Sequence, residues 1–174
     1  LAKLSGGVAQ INVGAATEVE LNEKKERVKD AVGATKAAVE EGILPGGGVA
    51  LLHARKALVS IKTDNDDEKV GVDIVRSALE QPLRWLAKNS GEDDGFVLRK
   101  VEEAKDSDYG YNSLSGEFGS MTKFGILDPL KVTRFALQNA ASVAMMVLTT
   151  EGLITDIPEE KKEPMMPPGG GMGY

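Results

Sequence analysis

From Glu41 to Leu51 the chain reads Glu-Gly-Ile-Leu-Pro-Gly-Gly-Gly-Val-Ala-Leu, and no other stretch restricts the fold as much. A strongly helical segment stops at Gly42, a short apolar step reaches Pro45, and three glycines open the next helix. Residues without side chains let a ligand or another backbone approach the free N–H groups of a helix start, where partial positive charge collects. Two readings follow. Either a nucleotide's phosphate or sugar edge sits there, or two elements of the chain pack there too tightly for side chains. The run is not a P-loop, since no Lys-Ser or Lys-Thr follows, and it lacks the G-x-G-x-x-G fingerprint of dinucleotide sites.

Composition narrows the chemistry. At 174 residues the chain can bury a real core, as one domain or as parts of two. Hydrophobic residues make up 41%, charged residues 28% and aromatics only 5%, so the core must be built from Val, Leu, Ile and Ala. The net charge of −6 and the lack of a basic cluster argue against nucleic-acid binding, which needs a basic face. No apolar run approaches the ~20 residues of a membrane span. With no cysteine and a single histidine, His53, disulfides, thiolate metal sites and histidine triads are out of reach. The opening Leu1-Ala-Lys-Leu reads as the end of a helix and there is no initiator Met, as expected of a piece of a longer protein.

Along the chain, residues 8–16 alternate apolar and polar and predict a strand. Glu18 to Glu41 predicts a helix, capped by Thr17, with Leu21, Val28, Val32 and Val39 on one face and Gly42 as the stop. A second helix is expected from about Gly47 to Ile61, with Leu51, Ala54, Leu58 and Ile61 inward, followed by a polar loop over 62–69. A third is expected from about Glu68 to Asn89, kinked at Pro82, with Val75, Leu79, Leu83 and Leu86 inward. Ser90-Gly91 ends it, and Phe96, Val97 and Val101 mark a fourth. Residues 105–125, rich in Gly, Ser, Phe and Tyr, predict a loop or irregular hairpin of functional weight. Asp128-Pro129 predicts an N-cap and first helical residue, opening a helix to about Thr150 that is apolar enough to be central and buried. Leu153–Ile157 predicts a terminal strand, and the Pro/Gly/Met-rich end a disordered tail.

Few side chains offer chemistry. Asp30 lies about 200° around its helix from Val28, beside the small Gly33 and Ala34, where a carboxylate can orient a water or accept its proton; by itself it reads first as an ordinary solvated acid. Asp128 is a plain N-cap or an acceptor for ribose hydroxyls. Asn112 is a turn residue or a reader of an adenine edge. His53 reads as structural or solvent-facing, and Trp85 and the Met residues of the long helix as core.

Leu1-Ala-Lys-Leu-Ser-Gly-Gly-Val-Ala, Val13-Gly-Ala-Ala-Thr-Glu-Val-Glu, Ala37-Ala-Val-Glu-Glu-Gly-Ile and Pro45-Gly-Gly-Gly-Val-Ala-Leu resemble the group I chaperonins, the GroEL type. Tyr109-Gly-Tyr-Asn, Gly125-Ile-Leu-Asp-Pro, Lys131-Val-Thr-Arg, Ala140-Ala-Ser-Val-Ala and the Gly-Gly-Met tail continue the match in order.

The resemblance implies a mainly α fold: the C-terminal half of the helical equatorial domain, over 42–158, plus the C-terminal segment of the small α/β intermediate domain, over 1–41. A disordered tail would occupy 159–174. It implies a subunit of an ATP-driven folding machine that encloses unfolded proteins beneath a co-chaperonin lid. The partners would be identical subunits in two stacked seven-membered rings, in the cytoplasm of a bacterium or, as the alternative, the matrix of an organelle. ATP, Mg2+ and K+ are the implied cofactors, with the Gly-Asp-Gly-Thr-Thr phosphate loop and the metal ligand in an N-terminal part not present here. Such a fragment is expected to be inactive alone.

Carried over residue by residue, Asp30 matches the acid that positions the hydrolytic water. Gly47 matches the sugar side of the nucleotide, Asn112 the adenine contact, Ile126 the base pocket and Asp128 the ribose contact. Ser113 and Leu114 stand where the bacterial pattern often has alanines, and Leu114 makes the base pocket bulkier. Arg84 and Asp93 fall at the ring–ring contact, and Glu41 and Arg134 form a candidate hinge pair. The competing reading is a structural helical oligomerisation module without nucleotide chemistry.

Overall fold

The computed structural model of the chain describes residue 7 and residues 9–157; the expected helix end at the first residues and the expected tail lie outside them. The described chain is mainly helical. Its order is α1 (Glu18–Glu41), β1 (Ile43–Pro45), α2 (Val49–Leu58), α3 (Asp66–Ala78), α4 (Gln81–Asn89), α5 (Asp94–Glu102), β2 (Tyr109–Asn112), β3 (Glu117–Ser120), β4 (Leu127–Pro129) and α6 (Leu130–Leu148).

Local chemistry sets most helix ends. The Thr17 hydroxyl accepts the Glu20 N–H at 3.2 Å, and Gly42, at φ 91°, stops α1. Asn65 accepts the Glu68 N–H at 2.8 Å while the Glu68 carboxylate reaches back to the Asp64 N–H at 2.9 Å, a reciprocal cap. Asp93 caps α5 through the Phe96 N–H. The single kinked helix expected over 68–89 is two helices. Pro82 lacks an N–H and its ring would meet the carbonyl one turn back, so α3 ends at Ala78 and Pro82 sits in the first turn of α4.

One core joins α2, α4, α5 and the β2–β3 hairpin. Leu83 and Ala87 of α4, Val97 and Val101 of α5, Val49 of α2 and Met121 are wholly covered, with Leu52, Leu98 and Tyr111 almost so. The glycine run fixes how α2 joins this core. A Cβ on Gly48, at φ 79°, would lie 2.7 Å from the Leu83 backbone nitrogen, and one on Gly47 2.6 Å from the Met121 methyl. This contact orients α2 so that Val49 and Leu52 point inward, not the expected set of Leu51, Ala54, Leu58 and Ile61. Ala54 and Ile61 are exposed.

Two short antiparallel ladders complete the frame. In one, β2 and β3 pair Tyr109 with Ser120 and Asn112 with Glu117, so the irregular hairpin expected over 105–125 is present. In the other, β1 pairs β4, Leu44 opposite Asp128, extended by the Gly46 N–H to the Ile126 carbonyl at 2.9 Å. Neither strand of this second seam was foreseen, each being three residues long. It brings the end of α1 against the start of α6. The Leu130 N–H bonds the Gly42 carbonyl at 3.1 Å, and Gly33 and Ala37 of α1 face Val132 and Ala136 of α6 across a shallow groove.

Several expectations fail for one reason: no described element covers the surface concerned. Residues 9–16 form no strand and are mostly exposed, and Leu153, Ile154 and Ile157 are likewise irregular and open. The apolar stripe of α1 turns away from α6. Val39 is exposed, and Val28 and Val32 share only a groove with Ile11. α6 has no buried residue, and its last turns, Met145 and Met146 included, are open. Trp85 is 58% exposed and is not core.

The close approach at Gly48 is testable. Gly116 shares a positive φ of 74° but has nothing within 4 Å of its missing Cβ. We expect Gly48→Ala to cost at least about 2 kcal/mol in urea unfolding, and Gly116→Ala about 1 kcal/mol, that of the conformation alone. Equal losses would show that the contact with Leu83 contributes nothing.

Candidate functional site

A cavity of about 620 Å³ opens where the glycine run, α4, the hairpin and the start of α6 meet. That volume is in the range of small-molecule sites. Its walls are largely apolar, with the Asp128 carboxylate among a few polar groups. Asp128 lies in β4, not at a helix cap as its Asp-Pro sequence suggests. Pro129 takes the capping position of α6 without a side-chain bond. Burial alone pushes the Asp128 carboxyl above its ordinary value of 3.8.

Of the carried-over residues, the fold brings Gly47, Ser113, Ile126 and Asp128 to this cavity. Asp30 lies in an adjoining cleft of about 580 Å³ with Gly33 and Ala34, and Pro129 and Val132 border both spaces. Asn112 and Leu114 do not line the cavity. The Asn112 carboxamide oxygen accepts the Leu114 and Ser115 N–H groups at 3.0 and 3.4 Å, which is the turn role. Leu114 is at the hairpin tip, 96% exposed.

The ring-contact and hinge candidates Glu41, Arg84, Asp93 and Arg134 all find partners within the chain. Arg134 grips Glu41 at 2.6 and 3.1 Å. The hydrogen bonds hold the Glu41 carboxyl below its usual range and raise the Arg134 guanidinium. Lys131 pairs with the adjacent Glu40. Arg84 is engaged by Asp94 at 2.8 Å and Glu80 at 3.0 Å within the chain, and Asp93 is occupied in capping. Arg55 bridges the same Glu80 to Glu102, so α2, α4 and α5 share one charge network. Partly exposed pairs of this kind add little stability individually. His53 is half-buried. Burial, with the Lys56 cation, keeps its imidazole below the usual value against the opposing pull of Asp106.

Sequence reading missed three contributors. Trp85 and Asn89 line the cavity from α4, and Tyr111 from the hairpin. Their signal was present: Pro82, Trp85, Leu86 and Asn89 recur at helical spacing and share one face. Asp108 was missed as well. It takes the Ser120 and Thr122 hydroxyls and the Thr122 N–H at 3.0 Å, bonds that hold its carboxyl below the ordinary range. It thereby fixes the loop that seats Met121 under the glycines.

The Asp128 shift has a definite sign. An acid whose folded value is raised favours the folded state while protonated; that advantage is lost as pH climbs through its unfolded value of about 3.8 toward its folded value. Asp128→Asn should therefore raise the thermal midpoint at pH 7, and the gain should shrink towards zero near pH 3. A midpoint lowered at pH 7 would mean that the carboxylate itself holds the fold.

A comparison with protein families places the cavity, the adjoining cleft and both ladders inside one match. It runs over residues 2–158 to the TCP-1/cpn60 chaperonin family. A chaperonin-type role in protein folding accompanies that assignment. With most of its length covered by the match, the chain belongs to the TCP-1/cpn60 chaperonin family.

Proposed function

We propose that this chain is the ATP-binding and hinge part of a chaperonin subunit that couples ATP hydrolysis to rotation of its domains. One observation carries the reading. Gly47, Ser113, Ile126 and Asp128, distant in sequence, line one nucleotide-sized cavity, and Asp30 stands in the cleft beside it. In this reading Asp128 accepts the ribose hydroxyls, Ile126 flanks the base and the glycine run lies against the sugar. Residues 1–41 act as the moving intermediate segment and 42–158 as the equatorial part. The seam at Gly42 and the Glu41–Arg134 pair form the fulcrum.

Closure of α1 would bring Asp30 over the nucleotide, where its carboxylate orients a water and takes its proton as the oxygen attacks the terminal phosphorus and the bond from that phosphorus to the departing ADP oxygen breaks. Phosphoryl transfer of this kind depends on positioning and electrostatics more than on covalent chemistry by the protein. Among the described residues no group of three or more His, Cys, Asp or Glu could hold a metal ion. The working assembly is proposed as two stacked seven-membered rings with a co-chaperonin lid, acting on unfolded proteins in the bacterial cytoplasm. A structural module without nucleotide chemistry accounts for the packed glycines but gives no reason to hold a carboxylate against an apolar cavity.

In the full-length subunit, Asp30→Ala should leave ATP binding nearly intact and slow hydrolysis by at least about tenfold, a lower bound for a lost general base, which contributes about a hundredfold or more. Asp128→Ala should weaken ATP binding itself. Wild-type turnover in Asp30→Ala would remove Asp30 from the chemistry. Unchanged ATP affinity in Asp128→Ala would favour the structural module.

A further inference from the structure

Three residues that border the cavity lie on or just after one short segment. Residues 121–126 link β3 to β4, and Met121, Ile126 and then Asp128 all line the space. The segment folds back over the hairpin as a strap, because the hairpin has no side chains where it crosses. Gly110 and Gly119 are partners across β2 and β3, so both missing side chains belong to one face. A Cβ on Gly110 would lie 2.6 Å from the Met121 sulfur, and one on Gly119 2.8 Å from the Phe124 ring. These glycines make room for the strap. They do not hold it.

Asp108 does. It stands at the foot of β2, where its own N–H is tied to the Asp106 carboxylate at 2.9 Å. Its carbonyl accepts the Met121 N–H at 2.8 Å. One carboxylate oxygen takes the Ser120 hydroxyl, and the other takes the Thr122 hydroxyl at 2.7 Å and the Thr122 N–H at 3.0 Å. Bonds to an ionised acceptor are the stronger kind, and here they fix both neighbours of Met121, which is wholly covered. The way on to the ligand side is short. The Met121 carbonyl accepts the Ile126 N–H at 2.9 Å, and the Ile126 carbonyl accepts the Gly46 N–H at 2.9 Å. Asp108 itself does not line the cavity.

Resting on the nucleotide reading above, we propose that Asp108 is a positioning residue for the nucleotide: through Ser120, Thr122 and the strap it sets where Met121, Ile126 and Asp128 stand, and so the affinity of the site. In that reading the residues it places meet the base and sugar, which change little between bound ATP and the transition state. Asp30 belongs to α1, outside the strap. Misplacing the strap therefore weakens binding and leaves the chemical step, the signature of an interaction made equally in both states.

The test measures equilibrium binding of ATP, and turnover at saturating ATP, in the full-length subunit. Asp108→Ala should raise the Kd for ATP about tenfold and keep kcat within about twofold, the scale of lost charge-assisted hydrogen bonds. Asp108→Asn keeps an acceptor for Thr122 and offers its amide to the Ser120 oxygen, so it should restore the Kd to within about threefold of wild type. Asn65→Ala removes the α3 cap without touching the cavity wall and serves as a destabilised control with unchanged Kd. Far-UV circular dichroism checks that each variant is folded. If Asp108→Ala does not fold, Thr122→Val decides: a Kd about threefold higher supports the proposal, and an unchanged one overturns it. Wild-type affinity in Asp108→Ala overturns it too, as does a control that loses as much affinity as Asp108→Ala. Wild type that does not bind ATP sinks the nucleotide reading itself, a result distinct from these.

Discussion

The backbone of Gly48 against the backbone of Leu83 is the contact on which the rest of the arrangement depends. A side chain at Gly48 would overlap the Leu83 nitrogen, so α2 meets α4 at a distance that only glycine permits. That approach covers Val49 and Leu83 completely and leaves the next face of α4, from Pro82 to Asn89, as a free wall. Glycine at this place serves packing, and the cavity is the space that packing leaves open. Of the two readings of the triple glycine, tight packing is the one the contacts at Gly47 and Gly48 carry.

Asp128 shows the opposite economy. Its strand, β4, is short and among the described residues pairs only with β1, yet it brings a carboxylate into apolar surroundings that raise its proton affinity. Burying a charge without a partner opposes folding, and positions of this kind concentrate where ligands bind. The same strand fixes the foot of α1 through Leu130 and Gly42. Whatever bonds to Asp128 therefore pulls on the ladder that holds the helix bearing Asp30.

The sequence was most legible where local signals suffice. The Thr17 cap and Gly42 stop delimit α1 residue for residue, and the hairpin and the α5 core positions Val97 and Val101 were plain from composition and spacing. Reading failed where tertiary contacts decide. The inward face of α2 is set by Gly48 meeting Leu83, which no periodicity in residues 47–61 contains. The strands β1 and β4 are too short to carry a pattern, and Pro82 separated two helices where a bend was expected. At the site, the resemblance named Gly47, Ser113, Ile126 and Asp128, and the fold brings these four to one cavity. It could not show that the Asn112 carboxamide oxygen accepts two N–H groups of its own turn. Trp85 was misplaced because an aromatic at helical spacing is most often core, a rule that fails where a helix faces an opening.

The Glu41–Arg134 pair joins residues 93 positions apart in sequence, and it sits beside the seam that closes the cavity. Closing a chain loop on the order of ninety residues is entropically costly and slow compared with forming a helix or hairpin. The α4 wall with Trp85 can assemble from residues already close in sequence, but the Asp128 side cannot dock until the polypeptide has been synthesised past the start of α6. During its own biogenesis the chain thus exposes a half-built apolar cleft, and it briefly resembles the kind of incompletely folded polypeptide that chaperonins exist to handle.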